Sequence, residues 1–75
     1  MKSEEEWAKQ SKGLLRAELA RRNVTYQKLA QALAAIGVQE TPENIANKVS
    51  RGKFTAVFLL QCLEAIGCER LTLKD

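Results

Sequence analysis

The sequence predicts an all-α fold, a compact bundle of four to five short helices. Three observations support this prediction. Serine or threonine stands where four helices would start, at Ser3, Thr25, Thr41 and Thr55. Glycine stands where three of them would end, at Gly37, Gly52 and Gly67. Between these residues, apolar side chains recur at the spacings of three and four that are typical of amphipathic helices.

The first helix begins with a capping box. The Ser3 hydroxyl can accept a hydrogen bond from the amide of Glu6, whose carboxylate can reach back to the amide of Ser3. Three glutamates in the first turn also suit the positive end of the helix dipole. We expect the helix to end near Asn23, because asparagine tolerates the left-handed conformation of a C-cap. Its larger apolar residues are Trp7, Leu14, Leu15 and Leu19.

Thr25 caps a second predicted helix, which covers residues 26–36 and ends at Gly37. Leu29, Leu33 and Ile36 fall on one face of it, at spacings of four and three. Alanines occupy much of the remaining surface, so another helix can approach closely.

The clearest helix start is Thr41-Pro42. Threonine is a good N-cap, and proline loses no hydrogen bond at the first helical position. The predicted third helix covers residues 42–51 and ends at Gly52. Its apolar face holds Ile45, Ala46 and Val49, whereas its polar residues lie largely away from that face.

Thr55 caps a fourth predicted helix, residues 56–66, which ends at Gly67. Apolar residues cover most of its circumference, so the helix is either central to the fold or in contact with another subunit. Residues 70–73 alternate polar and apolar side chains, as a short strand would, and we leave a short C-terminal strand open.

The core predicted from these faces draws on all four helices. Its members are Leu29, Leu33, Ile45, Val49, Leu59, Leu63 and Ile66, with Leu15 or Leu19 closing it.

The length of 75 residues predicts one domain, 1–75, with an acidic N-terminal cap at 1–6 and a strand or extended tail at 69–75. No apolar run approaches the roughly 18 residues that a membrane span needs, and the acidic N-terminus is unlike a secretory signal. We therefore expect a cytoplasmic protein without a membrane partner. We expect Cys62 and Cys68 to be reduced thiols that pack as small hydrophobic side chains. The alternative is a disulfide or half of a metal site.

The chain contains no histidine, which removes the commonest general base and the commonest metal ligand. No Ser-His, Cys-His or paired-carboxylate arrangement is available either. We therefore expect no enzyme activity, no cofactor, no metal and no small-molecule substrate.

The net charge of +3 conceals a strongly basic region. Residues 9–28 carry six lysines and arginines against the single acid Glu18, a local net charge of +5. Such a region could attract phosphate, although a solvated helix face would have the same composition.

Three stretches carry a recognisable pattern: Thr-Tyr-Gln-Lys-Leu-Ala at 25–30, Val-Ser-Arg-Gly-Lys at 49–53, and the leucine-rich helix at 58–67 that ends in Ile-Gly. Together they resemble the lambda-repressor-like, Xre-type helix-turn-helix domains, and the likeness covers roughly residues 14–67. Two more stretches are Asn-Lys-Val-x-Arg-Gly-x-Phe at 47–54 and Gln-Cys-Leu-Glu-Ala-Ile-Gly-Cys at 61–68. Through them the run 7–73 resembles a small bacterial family of helix-turn-helix-like domains of unassigned function. One departure is the turn at 34–41, which is several residues longer than is usual in the Xre pattern.

The resemblance implies that the chain binds double-stranded DNA as a small bacterial transcriptional regulator. The helix at 42–51 would enter the major groove, with Glu43, Asn44, Asn47 and Lys48 facing base edges. Thr25, Tyr26, Arg51 and Lys53 would contact phosphate. Ordinary solvated helix residues are the alternative for each of them, and Glu43 is acidic where phosphate is expected nearby.

A second hypothesis is that the chain has the same helix-turn-helix-like fold but does not bind DNA, and that it serves as a protein–protein interaction or dimerisation module. We also expect a homodimer that uses Trp7, the fourth helix or the tail at 71–73, because the fourth helix carries excess apolar surface. Dimerisation does not separate the hypotheses, since DNA-binding helix-turn-helix domains also dimerise to bind half-sites.

Overall fold

The computed structural model describes residues 1–73, which form four α-helices: α1 (Glu4–Arg21), α2 (Tyr26–Ala35), α3 (Pro42–Arg51) and α4 (Ala56–Ala65). The all-α prediction is confirmed, with four helices in this part of the chain and no fifth. No strand is present in residues 1–73. The short strand considered for residues 70–73 is therefore absent, and Leu71 instead packs against the core. Residues 74–75 of the predicted tail lie outside the described residues.

Each helix begins at the residue that the sequence predicts. The Ser3 hydroxyl accepts from the Glu6 amide at 3.2 Å, and the Ser3 amide donates to the Glu6 carboxylate at 2.8 Å. Three threonine hydroxyls, at positions 25, 41 and 55, likewise accept from the third amide of their helices at 3.0–3.1 Å. Each cap contributes about 1 kcal/mol to stability.

The helix ends also follow the prediction, with one small difference. Positive φ angles follow the four helices, at Asn23 (55°), Gly37 (84°), Gly52 (68°) and Gly67 (75°). Helices α2 and α4 end one residue earlier than expected. Ile36 and Ile66 serve as C-caps with φ near −100°, because the chain already turns there towards the glycine.

The core lies between two helix pairs, since α1 and α2 each pack on both α3 and α4. Five of the seven predicted core residues are buried, and both Leu15 and Leu19 join them; Leu59 and Ile66 are half-buried at its edge. The buried hydrophobic residues that the predicted core omitted are Ala8, Phe58 and Cys62. Phe58 and Cys62, four residues apart, place the inward face of α4 about one position away from the expected one.

Glu18 is the buried charged residue of the described chain, and it is fully paired. Its carboxylate accepts from Arg21 and from Arg22, the latter at 2.5 Å. The Cys68 thiol also lies 3.6 Å from its Oε1 atom, so the carboxylate joins the end of α1 to the segment after α4. Hydrogen bonds from Arg22 and Arg21 hold the pKa of Glu18 below its usual value.

None of the helices in residues 1–73 combines the length and the apolar character needed to cross a bilayer. Cys62 and Cys68 are both free thiols, and Cys62 is a core residue, which confirms the packing interpretation for it. Burial raises the pKa of Cys62 to about 12, so that the thiol stays protonated at neutral pH.

Gly52, directly after α3, packs against the backbone of α1. A Cβ atom at this position would fall 2.2 Å from the Ala8 carbonyl oxygen and 2.8 Å from its carbon. Because both atoms belong to the backbone of α1, a larger residue cannot be accommodated by a side-chain rotation.

We expect Gly52→Ala to lower the free energy of unfolding by about 2–5 kcal/mol, because left-handed strain and overpacking add together. Gly67→Ala is the matched control. Gly67 has a similar φ of 75° but open space around its Cβ position, so this variant should lose only about 1–2 kcal/mol. Urea denaturation measures both, and equal losses in the two variants would show that the contact with Ala8 costs nothing.

We expect Glu18→Gln to lower the melting temperature most at pH 7. The lowered pKa of Glu18 means that its contribution is present above its unfolded pKa of about 4.3 and is lost as the pH falls through the folded value. The difference between wild type and variant should therefore shrink as the pH falls below about 4.3 and through the lowered folded pKa. The control is Glu64→Gln, an exposed residue without an ion pair in residues 1–73. A pH-independent difference for Glu18→Gln would contradict the assignment.

Candidate nucleic-acid interface

The polar residues of α3 share one exposed face. Ile45 and Val49 are fully buried on the opposite side of the helix. At about 100° per residue, the exposed polar residues fall within an arc of about 160°. They are Glu43, Asn44, Asn47, Lys48, Ser50 and Arg51.

Asn44 and Asn47 are central to this face. Neither side-chain amide has a hydrogen-bond partner in residues 1–73, whereas their backbones take part in the N-cap and in a Ser50 hydroxyl contact. Each amide therefore presents both a donor and an acceptor outwards, which is the pattern that pairs with the N6 and N7 atoms of adenine.

Lys48, at the edge of the face, is engaged within the fold. Its ammonium pairs with the carboxylate of Glu40, whose side chain is 10% exposed. The same Nζ atom lies 4.9 Å from the centroid of the Phe58 ring. A base contact by Lys48 therefore competes with two internal contacts, which the sequence did not predict.

Arg51 and Lys53, the two predicted phosphate contacts at the end of α3, lie together against α1. They line a groove of about 520 Å³ with Lys9, Lys12 and Arg16 of α1, and we call it the α1–α3 groove. One carboxylate, that of Glu5, also lines it. The Lys12 ammonium donates to the Ser50 carbonyl at 2.9 Å and so joins the two walls.

Tyr26 is half-buried at the start of α2. It lines a hollow with Thr25 and Arg16, and Arg16 also belongs to the α1–α3 groove. Lys53 likewise lines a further hollow with Lys48, Phe54 and Phe58. Arg16 and Lys53 thus each line two hollows of the candidate surface.

Three cationic residues of this surface were missing from the predicted site: Lys9, Lys12 and Arg16. The signal was present in the sequence, because spacings of three and four place them on one face of α1. What the sequence did not show is that this face turns towards the end of α3.

The long connection between α2 and α3 is ordered by its own contacts. Its Val38 amide donates to the Leu33 carbonyl at 2.9 Å, and the Val38 side chain packs against the core. Near its end, Glu40 pairs with Lys48. The extra residues are therefore joined by contacts to α2, to the core and to α3.

No group of three or more acidic, cysteine or histidine residues within the described part of the chain could hold a metal ion. The cationic side chains of the α1–α3 groove and the free amides of Asn44 and Asn47 can bind anions and hydrogen-bonding groups.

A family model described as Domain of unknown function (DUF6471) matches residues 7–71. The match spans nearly the whole chain, so the chain belongs to this family. No curated protein and no solved structure matches the chain.

Proposed function

We propose that this member of the DUF6471 family binds duplex DNA sequence-specifically, as a small transcriptional regulator of the bacterial cytoplasm. In this proposal α2 and α3 act as a lambda-repressor-like, Xre-type helix-turn-helix. The observation that carries it is the exposed polar face of α3, which runs directly into the cationic α1–α3 groove. No cofactor or small-molecule substrate takes part.

The dimensions of α3 suit the major groove. Ten residues give a length of about 15 Å, and a helix with its side chains fits a groove about 12 Å wide. Asn44 and Asn47 would contact base edges, because their amides are free. The Glu43 carboxylate would accept a hydrogen bond from the N4 amino group of cytosine. Lys48 would leave its ion pair with Glu40 and contact guanine instead.

The phosphate contacts would flank this reading face. Arg51 is the last residue of α3, Lys53 lies two residues beyond it, and Tyr26 lies at the start of the preceding helix. Phosphates on both sides of the major groove could therefore be contacted. Such contacts fix the register of α3 on the duplex without selecting a sequence.

A binding selection from a random duplex library should yield a preferred site. Asn47→Ala should weaken binding to that site by about 1–3 kcal/mol and change binding to random duplex little, because a base contact is lost. Arg51→Ala should instead weaken binding to both and reduce the salt slope by about one unit, because a phosphate contact is lost.

The control is Gln31→Ala, which removes an exposed amide from α2 and should leave both affinities unchanged. If the wild-type protein binds no duplex even at about 50 mM salt, the DNA proposal is wrong and the interaction module replaces it.

Exposed apolar side chains on α4 favour the second candidate, a dimerisation module. Val57 and Leu60 are 63% and 65% exposed and lie three residues apart on the outer face of the helix. Trp7 and Leu73 are also exposed, but Lys2 covers the Trp7 ring at 4.5 Å. Of the three surfaces proposed for a homodimer, α4 is therefore the best supported.

We expect light scattering to show a dimer at high micromolar concentration, and Leu60→Glu to convert it to a monomer by placing a charge in the interface. Ile36→Glu, which alters an exposed apolar residue outside α4, should leave the dimer intact. A monomeric wild type at the same concentration would refute the dimer.

A further inference from the structure

The α1–α3 groove collects positive charge that the fold leaves uncompensated. Five cationic side chains line it, against the one carboxylate of Glu5. Lys9, Arg16, Arg51 and Lys53 form no ion pair within residues 1–73, although Glu18 and Glu40 pair with basic residues elsewhere. Like charges gathered in one groove repel one another, and an anion bound there would relieve this repulsion.

A structural role accounts for only part of the cluster. Lys12 satisfies the Ser50 carbonyl, and Arg51 suits the negative end of the α3 dipole. Lys9, Arg16 and Lys53 make no side-chain hydrogen bond within the described residues, so the fold does not require their charge.

The shape of the cluster indicates the kind of anion. Lys9 and Arg16 are seven residues apart on α1, which separates them by about 10 Å along the helix axis. Neighbouring phosphates on one strand of B-DNA are farther apart than the axial rise of about 3.4 Å per nucleotide, so this row would face at least two consecutive phosphates. A single phosphate could not contact both ends of the row.

We infer that the α1–α3 groove binds a run of phosphates from one DNA strand, and that α1 is therefore a second, sequence-independent element of the interface. The inference rests on the proposed DNA binding and extends it to residues outside the helix-turn-helix. Arg51 and Lys53 then belong to both elements and join the backbone contacts of α1 to the base contacts of α3.

The test compares two double variants of equal charge. Lys9→Ala with Arg16→Ala removes two cations from the groove, whereas Lys28→Ala with Arg70→Ala removes two exposed cations from outside it. Lys12 is left intact because of its contact with Ser50. Both proteins are titrated with duplex DNA at several salt concentrations and, separately, with inorganic tripolyphosphate by calorimetry.

The groove variant should reduce the slope of log K against log salt by about 1.8, which is 0.9 for each lost phosphate contact, on specific and random duplex alike. It should also lose tripolyphosphate binding, and the control variant should retain the wild-type salt slope and tripolyphosphate binding.

Equal effects of the two variants would overturn the inference while leaving the DNA proposal standing. If the wild type binds tripolyphosphate through the groove but no duplex, the phosphate site stands and the DNA proposal fails. If it binds neither, both fail.

Discussion

The contact between Gly52 and Ala8 determines how the rest of the molecule is arranged. The backbones of α1 and of the residue after α3 approach each other so closely that a Cβ atom does not fit between them. This approach closes the hydrophobic core on the α1 side, where Ala8 is buried. The same contact brings the cationic face of α1 beside Arg51 and Lys53, so one steric constraint produces both the packing and the α1–α3 groove.

The helices were predictable because their signals are local. A hydroxyl that caps three residues ahead, or a residue that tolerates positive φ, acts within one turn and is visible in the sequence. The inward face of α4 was less predictable, because Phe58, Leu59, Leu63 and Ile66 are all apolar and only packing decides which of them points inward. Sequence reasoning placed Leu59 in the core, whereas the structure buries Phe58 instead.

The candidate site was predictable only where it lies on one helix. The shared face of Asn44, Asn47 and Arg51 follows from the period of α3 alone. Two other features depend on tertiary contacts between distant residues: the pairing of Lys48 with Glu40, and the meeting of Lys9 and Arg16 with Arg51 and Lys53. Neither spacing nor composition encodes such contacts.

The packing order of the helices has a consequence for synthesis on the ribosome. Helix α1 leaves the exit tunnel first, but its partners are α3 and α4, which are translated last. An isolated helix of 18 residues is only marginally stable in water, and the capping box at Ser3 with its acidic first turn supports α1 during this interval. The nascent chain therefore carries an unpartnered amphipathic helix until Gly52 has emerged, and stable folding of the domain follows the completion of its C-terminal half rather than proceeding helix by helix.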